Sequence, residues 1–359
     1  MFPGIKVSVL LLLRVFLVAH LAKSGYSLCS LDEECTSLDH CPHLWNIIKE
    51  KGLTNSVHQM LRQRICSPNP DPLNMISRQS YICCPKPADL LPNIMICGQG
   101  PPDFRSTDSK EAFFNQFPWM ALLIYENRLT WKLSPNSVCE GSLINNRYVL
   151  TAAHCVVSKW TIYSDIVLKS VRLGEHDITT NPDCTIQING RKTCAPPHLE
   201  IDVENIIVHP AYGSTSEFQN DIALLRLEMP VRYTNEINPI CVLDGNHYLK
   251  NSRLELAGWG KTKTNVTPTV LMKNMVKRSS TCPKLYRDFD FWTQFCAVDE
   301  RYPCGLTSGG VLMATKGRGF EEFTYVAGIS SYGQIHCGYP EVFTKIGPFV
   351  GWIKRQLRP

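Results

Sequence analysis

Cys304-Gly305-Leu306-Thr307-Ser308-Gly309-Gly310-Val311-Leu312, Leu150-Thr151-Ala152-Ala153-His154-Cys155 and Asn220-Asp221-Ile222-Ala223-Leu224-Leu225 decide how this chain reads. They contribute one hydroxyl, one imidazole and one carboxylate, each set among small or apolar residues. A serine hydroxyl is a poor nucleophile until a neighbouring imidazole takes its proton, and a buried carboxylate holds that imidazole in the right tautomer. Ser308, His154 and Asp221 supply one group of each kind. A lone histidine is more often structural, but three such segments in one chain point to chemistry.

At 359 residues the chain suits two domains, and its 44% apolar content is ordinary for a globular core. Residues 1–26 read as a secretory leader, with Lys6, an apolar run Val7–Leu21 and a small-residue exit at Ser24-Gly25. Arg14 interrupts the apolar run, which argues against a membrane anchor. Removing Lys6, Arg14 and Lys23 takes the net charge from +5 to +2, too small a balance to indicate nucleic acid or an anionic membrane as partner.

Sixteen cysteines in an exported chain imply disulfides, whereas a zinc site would call for Cys-x-x-Cys pairs, and none occurs. Cys29, Cys35, Cys41, Cys66, Cys83 and Cys84 form a separate N-terminal cluster. The adjacent pair Cys83-Cys84 must reach two different partners, and fifteen connectivities are open. About 55 residues bury little apolar surface, so three bridges would offset that deficit. Residues 85–105 are rich in proline and aperiodic, and read as a linker. From Phe117 onward, short apolar runs such as Ala121–Tyr125, Val171–Leu173, Ile222–Leu227 and Tyr325–Ile329 recur between turn residues, the pattern of an all-β double barrel. Phe349-Val350-Gly351-Trp352-Ile353, with Leu357, has helical spacing after Pro348 and predicts a terminal helix.

Over residues 106–359 these motifs resemble the chymotrypsin-type serine proteases, and the cysteine spacing over 29–84 resembles the clip domain of arthropod haemolymph proteases. The resemblance implies an all-β fold: a chymotrypsin-like double β-barrel with a C-terminal helix, preceded by a small disulfide-knotted clip domain. It implies Ser308 as nucleophile, His154 as base and Asp221 as the group that orients His154, and the clip pairings Cys29–Cys83, Cys35–Cys66 and Cys41–Cys84. It also implies Cys97–Cys241 tying the linker to the protease domain, and Cys139–Cys155, Cys184–Cys194, Cys282–Cys296 and Cys304–Cys337 within it. Activation in this family is cleavage after a basic residue, which the family spacing places at Arg105, with Ser106 as the new N-terminus. That terminus, usually Ile-Val-Gly-Gly, folds inward and pairs with an aspartate just before the nucleophile.

The chain departs from the family here. Ser106-Thr107-Asp108-Ser109 is polar, Thr307 stands in place of the aspartate, and Leu306 replaces a glycine of the oxyanion loop. A buried ammonium with no counter-charge costs several kcal/mol, order of magnitude, so insertion toward Thr307 is unfavourable. A Cβ at Leu306 makes the turn that aims its N–H at the oxyanion harder. In the specificity pocket, Tyr302 occupies the base and Glu341 a wall position usually held by glycine, while Ser331, Tyr332 and Gly333 resemble the strand that aligns a peptide. Tyr302 and Glu341 either narrow the pocket or, through Glu341, supply a negative charge for a basic residue.

The segment Gly174–Cys184 resembles a calcium loop, with Glu175 and Asp183 as carboxylate ligands and backbone oxygens from Asp177 and Thr180. The alternative is an acidic loop closed by its disulfide. No other cofactor is expected. Asn265-Val266-Thr267 is one candidate glycosylation site, weakened by Pro268. The leading functional reading is a secreted, weakly active or inactive homologue acting as a cofactor among other secreted proteases or their substrates in a haemolymph immune or melanisation cascade. The competing reading is an active endopeptidase with non-standard activation, and a third, an adhesion module, rests on the clip knot alone.

Overall fold

The computed structural model describes residues 29–30, 33–66, 76–87, 90–100, 110–134, 139–157, 165–186, 190–245, 254–260, 268–298, 308–334 and 339–359. The leader, Arg105, Ser106, Asn265, Tyr302, Leu306, Thr307, Cys304 and Cys337 lie outside them. Chain contacts divide the molecule into two units that meet between Pro87 and Ala88.

In the first unit, β1 (Glu33–Ser37) pairs antiparallel with β2 (Tyr81–Pro85), and two helices, α1 (Pro42–Lys51) and α2 (Asn55–Arg62), lie between them in sequence. Pro42 begins α1, where its missing N–H is no loss, and the Thr54 hydroxyl accepts the Val57 N–H to cap α2. Leu38, Leu44, Ile47, Leu61 and Ile82 fill a core that Cys29–Cys83, Cys35–Cys66 and Cys41–Cys84 fasten. Arg64 and Glu33 form an ion pair that is almost entirely buried, and Arg64 also donates to the Cys83 carbonyl. The sequence reading placed a three-bridge knot here and named no helix. The two helices are short and owe their stability to packing and bridges, which periodicity alone does not register.

The second unit is built of two β-barrels. In chain order the strands of the first are β3 (Met120–Asn127), β4 (Leu133–Ser134), β5 (Glu140–Leu143), β6 (Tyr148–Thr151) and β7 (Ile166–Leu173). After the small hairpin β8 (Cys184–Ile186) and β9 (Lys192–Cys194) come β10 (Leu199–Val208) and β11 (Ala223–Leu227). The hydrogen-bonded order β4-β3-β5-β6-β11-β10-β7 closes through an added β3–β7 pairing. The second barrel joins β12 (Leu254–Gly258), β13 (Met272–Arg278), β14 (Gln294–Val298), β15 (Val311–Lys316), β16 (Phe323–Tyr332) and β17 (Glu341–Lys345) in the closed order β12-β13-β14-β17-β16-β15. Closure removes the exposed edges.

A single turn of helix, α3 (Cys282–Leu285), follows β13, and α4 (Val350–Gln356) ends the chain. Val350, Trp352 and Ile353 on α4, and Leu357 just beyond it, are buried in the same cluster as Tyr148, Leu150, Leu224 and Leu227 of the first barrel. Full burial of each such side chain contributes roughly 1.5–3 kcal/mol. Residues 90–100, part of the expected linker, pack within this unit. Cys97 is bonded to Cys241, Gly98 N–H donates to Pro239 O, and Thr324 N–H donates to Gly98 O. Gly98 has φ of 65°, and a Cβ there would fall 2.0 Å from the Thr324 carbonyl oxygen, so only glycine fits.

Cys139–Cys155, Cys184–Cys194 and Cys282–Cys296 complete seven bridges in the pairing that the family resemblance implied. No free cysteine occurs among the described residues.

Candidate active site

The site lies where the two barrels meet within the second unit. β6 runs into a one-turn 3-10 helix, Ala153–Cys155, which carries His154. Asp221 precedes β11, directly after Asn220, whose φ of 53° turns the chain and whose side-chain amide donates to Ala211 O. Ser308 precedes β15, and Ser331 lies near the end of β16.

Asp221 is fully buried and its oxygens are matched to donors. Oδ1 accepts the His154 backbone N–H at 2.9 Å, and Oδ2 accepts His154 Nδ1–H at 2.7 Å and the Ser331 hydroxyl at 2.5 Å. Thr344 Oγ1 donates to the Asp221 carbonyl at 3.0 Å. A carboxylate at Nδ1 fixes the hydrogen there and leaves Nε2 as the free base. Among the described residues no hydrogen bond joins Ser308 Oγ to His154. Such contacts are commonly long in unliganded sites and tighten when substrate binds. Ser331, expected at the substrate strand, thus serves as a third partner of the carboxylate, a role its position in the sequence did not indicate.

Ser308 is anchored through its backbone. Its carbonyl accepts the Glu140 N–H at 2.9 Å, and Gly309 N–H donates to Ser330 O at 3.0 Å. Gly309 has φ of 75°, and a Cβ there would meet Glu140 O at 2.4 Å and Thr151 Oγ1 at 2.5 Å, which explains the glycine after the nucleophile. Cys139–Cys155 ties the start of β5 to the turn holding His154.

Glu140 was not among the residues that the sequence singled out. It is 4% exposed in a strand of otherwise small or apolar residues. Its Oε1 accepts the backbone N–H of Trp259, just beyond β12, at 2.6 Å, so the side chain crosses from one barrel to the other. Oε2 is buried and has no hydrogen-bond partner among the described residues. Burial pushes this carboxyl up to about 8, partly countered by the Trp259 N–H. The available signal was a single acidic residue, Cys139-Glu140-Gly141-Ser142, inside a strand with no other charge.

On one flank of His154 stands an aromatic wall. The Phe218 ring meets His154 edge-on at 5.8 Å and stacks on Tyr332 at 4.9 Å, and Tyr286 meets Tyr332 edge-on at 5.4 Å. Gln294 joins the wall by accepting from the Tyr332 hydroxyl and donating to Phe218 O. Burial pushes the Tyr286 phenol up against the Gln334 N–H, and the charge of nearby Glu341 adds to the rise. Glu341, on β17, is therefore placed near this wall, and Gly333 follows Tyr332 at its rim.

The four residues expected to bind calcium come together, but both carboxylates and the Asp177 carbonyl are already engaged. Glu175 Oε2 meets Arg172 Nη1 at 3.1 Å and His198 Nδ1 at 3.1 Å, and Oε1 accepts the His176 N–H. Asp183 Oδ2 accepts the N–H groups of His176 and Asp177, Oδ1 accepts the Thr180 hydroxyl, and Thr180 N–H donates to Asp177 O. Burial and the neighbouring Asp183 push Glu175 up to about 7, against Arg172. A hard dication needs oxygens free to face it. In this arrangement Arg172 supplies the positive charge, so the donor set does not fit calcium.

Comparison with known proteins agrees with the geometry. Residues 107–353 match the trypsin family and residues 34–84 match the regulatory CLIP domain of proteinases. The chain is 35% identical to the Spaetzle-processing enzyme of Drosophila melanogaster, covering 91% of this chain and 89% of that one. It is 33% identical to Melanization protease 1 of the same species, covering 94% of each. Phenoloxidase-activating factor 3 of Holotrichia diomphalia is 32% identical, covering 90% of this chain and 91% of that one. Among solved structures, the Drosophila Grass clip serine protease of the Toll pathway superposes with a TM-score of 0.60 at 27% identity, covering 92% of this chain and 97% of that one. The protein belongs to the clip-domain serine proteases of the trypsin family, related to proteases of Toll and melanisation cascades.

Proposed function

We propose that this chain is a secreted serine endopeptidase of an extracellular immune or melanisation cascade, competent for hydrolysis after cleavage at Arg105 but activated in a non-standard way. The observation that carries this reading is the Asp221 network. A fully buried carboxylate held by a backbone N–H, an imidazole and a hydroxyl costs desolvation energy that stability alone rarely recovers. Its use is to hold His154 as a base.

In the reaction Ser308 Oγ attacks the scissile carbonyl carbon while its proton passes to His154 Nε2. The imidazolium, stabilised by Asp221, then gives that proton to the leaving amine as the C–N bond breaks. Water repeats the sequence to free the acyl group and restore Ser308. Membership of the family and the names of the relatives support a cascade role, and the aromatic wall at Phe218 and Tyr332 favours an apolar residue on the acyl side of the cut bond. No helix among the described residues is long and apolar enough to cross a membrane.

The residues at Leu306 and Thr307 favour a second reading, in which the chain binds other secreted proteases or their substrates as a cofactor and hydrolyses little. Hydrolysis of a small activated ester separates the two, because it bypasses the side-chain pocket. The cleaved protein is expected to turn over the ester and His154→Ala is not. Equal rates for the two would leave only the cofactor reading.

A further inference from the structure

We infer that the side chain of Glu140 positions the nucleophile Ser308 by tying the strand that holds it to the opposite barrel. Glu140 is a positioning residue, acting through the backbone and not on the reacting atoms. The inference rests on the reading of Ser308 as a nucleophile, and it adds a residue outside the triad.

The backbone of Glu140 meets the nucleophile on two sides. Its N–H donates to Ser308 O at 2.9 Å, and the preceding Cys139 pairs with Ser308 in a parallel bridge. Its carbonyl accepts the Thr151 hydroxyl at 2.6 Å and lies 2.4 Å from the point that a Cβ on Gly309 would occupy. Packing this close leaves little slack, so a displacement of Glu140 displaces Ser308.

The side chain fixes where Glu140 sits. Its Oε1 accepts the backbone N–H of Trp259 at 2.6 Å, a residue 119 positions further along the chain in the other barrel. Trp259 is buried and is itself held, because its indole N–H donates to His176 O at 3.0 Å. The same carbonyl accepts the N–H of Leu271, just before β13. The side chain is thus a strut from a fixed point in one barrel to the backbone that carries the nucleophile. Such a strut needs an acceptor atom at that length and does not need a charge.

The surroundings keep the strut uncharged. Oε2 is buried and has no hydrogen-bond partner among the described residues, and an isolated carboxylate there would be costly. The groups that face Glu140 are the Thr151 hydroxyl from β6, the Trp259 N–H beyond β12, and Ser308 and Gly309 ahead of β15, none of them charged. On the adjoining turn His154 is bonded to Asp221, and no charged group among the described residues shifts Glu140. Burial pushes its carboxyl up to about 8, so at neutral pH the strut is the protonated acid. At higher pH it ionises with no cation to meet it. Water must then enter, or the side chain must leave Trp259, and either event loosens Ser308.

The test uses the full chain cleaved after Arg105. Fluorophosphonate labelling of Ser308 is followed from neutral pH to about pH 9, with hydrogen exchange of the Gly309 amide read in parallel. Glu140→Ala strands the buried Trp259 N–H and is expected to slow labelling about tenfold at neutral pH. Glu140→Gln keeps an acceptor and is expected to restore labelling to within about threefold of the wild type. Wild-type labelling should fall about tenfold by pH 9, where a group titrating near 8 is mostly ionised, and Glu140→Gln should not show that fall. Labelling undiminished in Glu140→Ala, or a fall with pH that persists in Glu140→Gln, overturns the proposal. A purely structural Glu140 would lower the unfolding midpoint of the variants and leave the shape of the pH profile unchanged. Should Glu140→Ala fail to fold, the profile of Glu140→Gln decides. Should the wild type never label, the hydrolytic reading fails and exchange decides the positioning. Gly309 must then exchange about tenfold faster in the wild type than in Glu140→Gln at pH 9, and equal rates overturn the proposal.

Discussion

The backbone N–H of Glu140 donates to the carbonyl oxygen of Ser308 at 2.9 Å, joining the first barrel to the nucleophile at the residue that carries the buried carboxylate. This bond links the first barrel to the catalytic serine through a residue whose own side chain is buried and reaches Trp259 of the second barrel.

The Asp221 network makes a graded prediction. Asp221→Asn should reduce turnover by about 10⁴, because an amide favours the wrong tautomer at Nδ1. Ser331→Ala removes one of three donors to the same carboxylate and should cost about tenfold in turnover, consistent with the loss of one hydrogen bond to a charged group. Ester turnover by the cleaved variants is the measurement.

The buried acids set the pH dependence of the uncleaved protein. Glu140 is pushed up to about 8 and Glu175 to about 7, while both ionise near 4.3 in the unfolded chain. Between these limits the folded state holds protons that the unfolded state has released, so stability falls as pH rises from about 4.5 toward 8. Each group contributes up to about 1.4 kcal/mol per pH unit across its own window. Urea midpoints at pH 5 and pH 8 should show the decline, and Glu140→Gln should flatten its upper part while leaving the Glu175 portion.

Much of this was legible in the sequence, and what was missed has physical reasons. His154, Asp221 and Ser308 sit in segments specific enough to announce their chemistry, and the strands at Ala121–Tyr125 and Tyr325–Ile329 follow from apolar runs between turns. The terminal helix was legible because Val350, Trp352, Ile353 and Leu357 share one face. The partnership of Ser331 with Asp221 was hidden because it joins residues 110 positions apart across two barrels. Glu140 escaped because a lone acid beside a cysteine looks like surface until the strand is seen to be buried on both faces. The calcium expectation read Glu175 and Asp183 correctly as neighbours but could not see Arg172, which pairs directly opposite Glu200 in the β7–β10 register and also reaches Glu175.

The loop itself yields a prediction about metal. With Arg172 and His198 already on Glu175, added Ca²⁺ should leave the unfolding temperature unchanged to within about 1 °C. Arg172→Ala strands the carboxylate, and that variant should become less stable and regain stability on adding Ca²⁺. Thermal unfolding with and without the ion distinguishes these outcomes.

The most direct test of an intact nucleophile under a cleavage switch is fluorophosphonate labelling of Ser308 before and after cutting at Arg105. The reagent reacts only where the serine, His154 and the oxyanion donors are assembled together. Labelling is expected to be absent or slow in the precursor, to rise at least tenfold on cleavage, and to disappear in His154→Ala. No labelling of the cleaved protein, or equal labelling before and after cleavage, would contradict the proposed activity and its switch.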